Sequence, residues 1–556
     1  MRIRTISSLE KCFLDENIET KKELKRATML KNEQYHYEVC FDVEDLCNDR
    51  FVMRVSVDSP ITDYVTVRRI EHVPVQMPVN RALVDDNYLR TTPGLYPDLL
   101  MPLDRFGRVT LNNNLQSLFV EIDPKGEVAP GVYDITLNFT EEEAGQATEK
   151  TFTPATFTIE ILDAELPEQS LIFTQWFYCD CLQNYYGTEM FDERHWQIIE
   201  NFVKVAVARG INMLLTPVFT PPLDTYVGGE RGTAQLVDIT LENGKYSFGF
   251  EKLGRWVEMC NRNGIKYFEI AHFFTQWGAA HAPKIMATVD GEYKRIFGWD
   301  TKADGEEYSA FLHAFIPALL DYMKSLDGAD RRCYFHISDE PTFPNLEQYK
   351  ASREVVREML EGYPVIDALS DFRFYSMGLV ERPVPANNEI EEFLEHNVPD
   401  LWVYYCTSQS LKVSNRFMSM PSARNRIIGV QMYKHNIVGF LQWGFNSYYN
   451  RYSFSPVNPY LITDAEYFVP AGDAFQVFPA PDGTAYETLR LVVFHEALQD
   501  MRAMQLCEQL YGREFVMNLI EDGVEPITFS EYPKDAEYLL NLREKINRAI
   551  ADKLCK

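Results

Sequence analysis

Residues 171–219 read LIFTQWFYCDCLQNYYGTEMFDERHWQIIENFVKVAVARGINMLLTPVF. An apolar run of strand length opens the stretch (LIFTQWFY, 171–178) and another closes it (INMLLTPVF, 211–219). Between them lies a helical stretch, ERHWQIIENFVKVAVARG (193–210). It stops at Gly210, the usual signal after a helix. Strand, helix and strand in this order form a βα unit and predict a parallel sheet.

The rhythm continues downstream. Further strands are expected at IKYFEIAHFF (265–274), CYFHISDE (333–340), YPVIDALS (363–370), DLWVYYCT (400–407), IVGFLQWGF (437–445) and DAFQVFPA (473–480). With the first two these make eight, separated by helical stretches such as FEKLGRWVEMCNRNG (250–264). Eight strand–helix repeats predict a (β/α)8 TIM-type barrel. A doubly wound open sheet is the alternative, but no Gly-rich dinucleotide turn follows the first strand. The segment 486–514 carries apolar residues at helical spacing and is expected to be the eighth barrel helix, with another helix near 534–553.

Upstream the pattern is different. YHYEVCFDV (35–43), RFVMRVSVD (50–58), SLFVEID (117–123), GVYDITLNF (131–139) and TFTIEIL (156–162) read as short strands between turn signals, which predicts a β-sandwich. TPGLYPDLLMPLD (92–104) is rich in proline and reads as a long crossing loop. The expected organisation is multidomain: a β-sandwich over 1–165, a catalytic (β/α)8 barrel over 166–515 and a C-terminal helical extension over 516–556.

The net charge of -28 over 556 residues disfavours nucleic acid and anionic membrane as partners. It fits an enzyme for neutral substrates. Aromatic residues make up 13% of the chain, which suits sugar stacking and equally a large core. Ten cysteines are scattered without a CxxC pair, so a zinc site is not expected. Dispersed thiols favour a reducing compartment, and the charged N-terminus shows no signal peptide, so a cytoplasmic location is expected. No apolar run is long enough to span a membrane.

Catalytic residues of such barrels lie at the C-terminal ends of strands. The fourth expected strand ends in HISDEP (336–341), placing Asp339 beside Glu340. Pro341 biases Glu340 toward an extended backbone. Solvated loop acids are the plain alternative. Paired carboxyl groups across a glycosidic bond stand about 5 Å apart in ordinary retaining enzymes, and neighbours on a strand point to opposite faces. Adjacent acids at a bent strand end suit a substrate-assisted mechanism better. There the 2-acetamido oxygen attacks, one acid protonates the leaving group and the other carboxylate orients the acetamido N–H. An ionised Asp339 is then expected to keep Glu340 protonated.

HISDEP, followed by YPVIDALS, DLWVYYCT, NRFMSMPSARNRIIGVQMYKHNIVGFLQWGFNSY and FQVFPAPDG, resembles glycoside hydrolase family 123. The resemblance extends upstream to PGLYPDLLMPLD and PGVYDITLNF. It implies an exo-acting retaining β-N-acetylgalactosaminidase, with Glu340 as general acid/base, Asp339 as the acetamido-stabilising residue and no metal or organic cofactor. The implied substrate is a glycan or glycolipid with terminal β-linked N-acetylgalactosamine. The same chemistry on β-N-acetylglucosaminides, or a non-catalytic carbohydrate-binding protein, are the alternatives. Val492 departs from the pattern, where related chains are expected to carry a carboxylate.

Other positions are candidates for substrate binding. Trp443 is a platform for the sugar ring or a core tryptophan. Asn446 is a hydroxyl partner or a turn cap. Tyr404 is a donor to the acetamido oxygen, with Tyr405 as its rival. His272 and Trp176 lie near strand ends and follow the same logic. His336 supports the acids or sits satisfied in the core, and Asp367 and Asp371 position the site or cap a helix.

Overall fold

The computed structural model describes residues 1–43, 51–80, 82–111, 115–143 and 146–554. Cys47, Cys555 and Arg50, the first residue of an expected strand, lie outside the described residues.

The N-terminal region holds β1 (Arg2–Ser7), β2 (Arg26–Leu30), β3 (Tyr35–Asp42), β4 (Phe51–Asp58), β5 (Val65–Val75), β6 (Gly94–Pro102), β7 (Arg108–Leu111), β8 (Leu115–Ile122), β9 (Gly131–Glu143), β10 (Gln146–Thr151) and β11 (Ala155–Leu162). One sheet runs β1-β3-β8-β5-β6 and the other β2-β11-β9-β4-β7, with β10 beside β9. Alternation builds their shared core. Tyr37, Val39 and Phe41 of β3 meet Phe139 of β9 and Phe157 of β11 in one buried cluster. Tyr37 stacks on Phe157 at 4.1 Å.

The stretch 92–104, expected as a loop, contains β6. It carries prolines because it is the edge of its sheet, where a missing N–H breaks no ladder on the open side.

The outer face of the first sheet is buried too. Ile70, Leu100 and Phe119 pack on Leu489 and Val492 of the helix Leu489–Tyr511. Val492 is therefore an interface residue between the two halves of the molecule. Buried ion pairs flank this contact. Glu121 accepts from Arg68 and Arg209, each at 2.7 Å, and both arginines also bind Glu487. His36 meets Glu496 at 3.0 Å, and Arg426 joins Glu496 to Asp500.

The second half alternates strands with helices: β12 (Ile172–Gln175), β13 (Met213–Thr216), the hairpin β14 (Asp238–Glu242) and β15 (Lys245–Gly249), β16 (Tyr267–Ile270), the hairpin β17 (Ile285–Val289) and β18 (Glu292–Phe297), β19 (Cys333–Tyr334), β20 (Ile366–Ala368), β21 (Arg382–Val384), β22 (Trp402–Tyr404) and β23 (Gly439–Gln442). The helix Glu193–Ala208 shows why. Asp192 caps it by accepting from the His195 N–H at 2.7 Å, and Trp196, Ile199, Phe202, Val203 and Ala206 line its buried face.

Six strands form one parallel sheet in the order β19-β16-β13-β12-β23-β22, and β20 pairs with β21 in parallel. Single parallel bridges, Phe335 to Val365 and Ala386 to Tyr404, join the pair to the ends of the six. The expected eight-stranded barrel is thus met only in part, because its ladder is not continuous. One expected strand is also displaced. Within 473–480 only Val477–Pro479 (β24) is a strand, in an antiparallel hairpin with Ala485–Glu487 (β25). The remaining parallel strand is β21, whose Arg-Pro-Val sequence is too short and proline-marked to read as one.

The C-terminal helix Ala536–Leu554 lies against β2 and the helix Leu489–Tyr511, with Arg543 bound to Asp500 at 2.9 Å. Among the described residues no helix is long and apolar enough to cross a membrane.

Candidate active site

The C-terminal ends of the parallel strands surround a cavity of about 240 Å³. Trp176 and Tyr178 follow β12, Asp224 lies beyond β13, Gln276 and Trp277 follow β16, and Asp339 and Glu340 follow β19. Tyr404 ends β22, Cys406 follows it, and Trp443 follows β23. Phe468 and Val469 complete an apolar wall.

HISDEP leaves β19 under tight control. Asp367 of β20 accepts from the N–H groups of Ile337 and Ser338, at 2.9 and 3.3 Å. The Trp277 N–H donates to the Asp339 carbonyl at 2.7 Å, and the Glu340 N–H to the Ala368 carbonyl at 2.9 Å. Glu340 has φ +42°, in the left-handed region. This corrects the extended backbone expected from Pro341. The bond to β20 outweighs the local bias, and the cost of the conformation is on the order of 1 kcal/mol. Strand alternation would separate two neighbouring side chains, yet Asp339 and Glu340 both line the cavity.

Beneath the acids lies a buried charged cluster. Glu269, in the middle of β16, accepts from Trp176 Nε1 and His336 Nε2, each at 2.7 Å, and from the Thr174 hydroxyl. The other ring nitrogen of His336 is 3.5 Å from Asp367 Oδ1. Burial alone pushes the His336 imidazole down, but Asp367 and Glu269 outweigh it and raise its pKa to about 9. His336 is therefore a buried cation at neutral pH.

Burial pushes the Asp339 carboxyl well above the usual carboxylate range. Glu340 pushes it the same way, and His336 opposes. Burial also raises Glu340, against a hydrogen bond of 2.7 Å from the Tyr404 hydroxyl. The expectation of a low Asp339 beside a high Glu340 is not met. Both are raised, so the pair retains a proton to higher pH than ordinary carboxylates.

The remaining candidates divide. Tyr404 points at Glu340, while Tyr405 points away and donates to Asn425 at 2.8 Å. Trp443 is partly buried and lines the cavity, its indole N–H held by Asp473 at 2.9 Å. Trp176 lines the floor, tied to Glu269. Asn446 and His272 are not among the lining residues. Asn446 is fully buried and clamps the Tyr178 backbone, accepting at 2.9 Å and donating at 3.1 Å. His272 is stacked on His336 at 4.1 Å, beneath the floor. Asp371 caps the short helix Phe372–Ser376.

Four residues of the cavity and the cluster beneath it escaped the sequence reading. Asp224 and Trp277 reach the cavity from loops, which carry no periodic signal. Asp473, at the start of a stretch expected as a strand, instead binds Trp443, Thr407 and Gln442. Glu269 did leave a signal, since a carboxylate inside the apolar run KYFEI needs buried partners. Among the described residues no group of His, Cys, Asp and Glu is arranged to hold a metal ion.

A family 123 glycoside hydrolase from Clostridium perfringens, studied for glycolipid glycan hydrolysis, superposes over 100% of this chain and 97% of its own, with a TM-score of 0.72 at 14% identity. A glycosyl hydrolase family 2 member from Bacteroides cellulosilyticus overlaps 82% of this chain and 47% of its own, at a TM-score of 0.27 and 11% identity. No curated protein sequence matches the chain. Residues 176–507 match the family model described as glycoside hydrolase 123, catalytic domain, which spans the whole cavity and more than half of the sequence. The chain belongs to glycoside hydrolase family 123.

Proposed function

We propose that this protein is an exo-acting retaining β-N-acetylgalactosaminidase that works by substrate-assisted catalysis. The observation that carries the reading is the adjacency of Asp339 and Glu340 in one cavity, brought about by the left-handed Glu340. Carboxyl groups that share a wall suit a substrate that supplies its own nucleophile. In this scheme the acetamido N–H donates to Asp339 and favours its carboxylate, which leaves the retained proton on Glu340 for the glycosidic oxygen. The acetamido oxygen attacks the anomeric carbon as the bond to the leaving group breaks. Water, deprotonated by Glu340, then opens the oxazolinium ion with net retention.

The cavity is below the roughly 300–1,000 Å³ of sites for larger ligands, which supports the capture of a single terminal sugar. Trp176 and Trp443 supply flat apolar walls for its faces. We read the strand ring as a (β/α)8 barrel with two weak seams, and the two N-terminal sheets as a sandwich bracing it. The relative from Clostridium perfringens acts on glycolipid glycans, and a glycan or glycolipid ending in β-N-acetylgalactosamine is the substrate proposed here.

The test is turnover of 4-nitrophenyl N-acetyl-β-galactosaminide and its gluco epimer by the wild type, with inhibition by a thiazoline analogue of the oxazoline. Preference for the galacto compound and submillimolar inhibition are expected. Turnover of neither compound refutes the reading, and a preference for the gluco epimer reassigns the sugar.

A further inference from the structure

Asp224 is the third carboxyl group lining the cavity, and the chemistry above leaves it without a task. Its backbone is fixed from both sides. The Asp224 N–H donates to Gln276 Oε1, and its carbonyl accepts from the Ser453 hydroxyl at 2.7 Å. Its φ is +44°, again in the left-handed region. The carboxyl makes no ion pair among the described residues. Burial raises its pKa to about 7, against the charge of Arg231, a hydrogen bond from the Tyr452 backbone N–H and the charge of Arg451.

Two of the three cations nearby are already committed. Arg231 is buried and grips Asp180 with two bonds of 2.9 Å, between the rings of Tyr178 and Tyr449. Arg416 lies under the floor, bound to Gln175 and to the Gly444 and Asp473 carbonyls. Arg451 is exposed, over Tyr452 and over Phe468 of the cavity wall. Among the described residues that line the cavity there is no Lys, Arg or His. Any anionic substituent carried inside meets three carboxyl groups, while the nearest cations, His336, Arg231 and Arg451, lie behind or outside the lining.

We propose that Asp224 is a substrate-binding residue that hydrogen-bonds a ring hydroxyl of the bound sugar, and that the cavity takes uncharged terminal hexosamines and rejects those bearing a sulfate or carboxylate. The inference rests on the glycosidase reading and narrows its substrate class.

The experiment compares kcat and KM of the wild type, Asp224→Asn and Asp224→Gly on 4-nitrophenyl N-acetyl-β-galactosaminide and its 6-O-sulfate. Glycine relaxes the left-handed backbone, so that variant removes the carboxyl while easing the fold. The wild type is expected to favour the unsulfated compound at least a hundredfold in kcat/KM. Both variants are expected to raise KM for that compound at least tenfold, with a smaller change in kcat, and to narrow the discrimination at least tenfold. Unchanged KM and discrimination in both variants, or a wild type that accepts the sulfate equally, overturns the inference alone. A wild type inactive on both compounds overturns the proposed function and this inference with it.

Discussion

The Tyr404 hydroxyl donates 2.7 Å to Glu340 Oε1, tying the end of β22 to the acid that follows β19. This bond stabilises the ionised form of Glu340 and works against its retention of a proton. In Tyr404→Phe the Glu340 pKa is expected to rise, so the basic limb of the pH–rate profile moves to higher pH. The loss of a positioning bond lowers kcat/KM about tenfold. A profile with an unmoved basic limb contradicts this role for Tyr404.

The two acids are expected to fail differently. Glu340→Gln retains turnover of aryl glycosides with good leaving groups and loses about 10²–10⁴-fold on alkyl or sugar leaving groups, which need protonation. Asp339→Asn is expected to lose activity on both, because in the proposed mechanism Asp339 orients the acetamido nucleophile. A plot of log kcat against leaving-group pKa separates them. Wild-type rates in both variants would sink the assignment of the pair.

His336 supplies a stability signature. Its folded pKa of about 9 lies above the ordinary histidine value of roughly 6.5, so the stabilisation is complete below pH 6.5 and is lost as pH rises through 9. Glu269→Gln removes a main partner of the imidazolium. The gap in unfolding free energy between wild type and this variant is expected to shrink between pH 6.5 and 10. A gap that stays constant with pH shows that His336 is neutral in the fold.

Glu487 behaves in the opposite sense. Burial pushes its carboxyl up, but Arg209 and Arg68 outweigh that and hold it at about 2. Its contribution is present above the unfolded value and is lost as pH falls through about 2. Glu487→Gln is expected to cost on the order of 3 kcal/mol at pH 7. Urea titrations at pH 7 and pH 2 are expected to show that difference closing.

What was legible in the sequence follows from periodicity and chemistry. The helix after Asp192 could be read because its cap and apolar spacing are local. The acid pair could be read because its residue types sit at a strand end. Glu340's left-handed backbone could not, since a bond to Ala368, 28 positions on, imposes it. The strand at Arg382–Val384 is three residues long with a central proline, and only its neighbours make it a strand. Edge strand β6 was hidden by the same residue type for the opposite reason, since its prolines mark the end of a sheet rather than a loop.

The two single-bridge seams set a mechanical consequence. The panel made by β20 and β21 stands between the strand that carries the acids and the strand that carries Tyr404. It supplies the Ala368 carbonyl that fixes Glu340 and the Asp367 carboxylate that fixes the chain before it. Cooperative units held by few bonds open at lower free energy than the whole fold. Amide exchange over 363–385 should therefore outpace that of β12, β13, β16 and β23, and each opening should briefly release the acid pair from its template. Occupation of the cavity should slow that exchange, so the bound sugar acts as the missing rungs of the ladder.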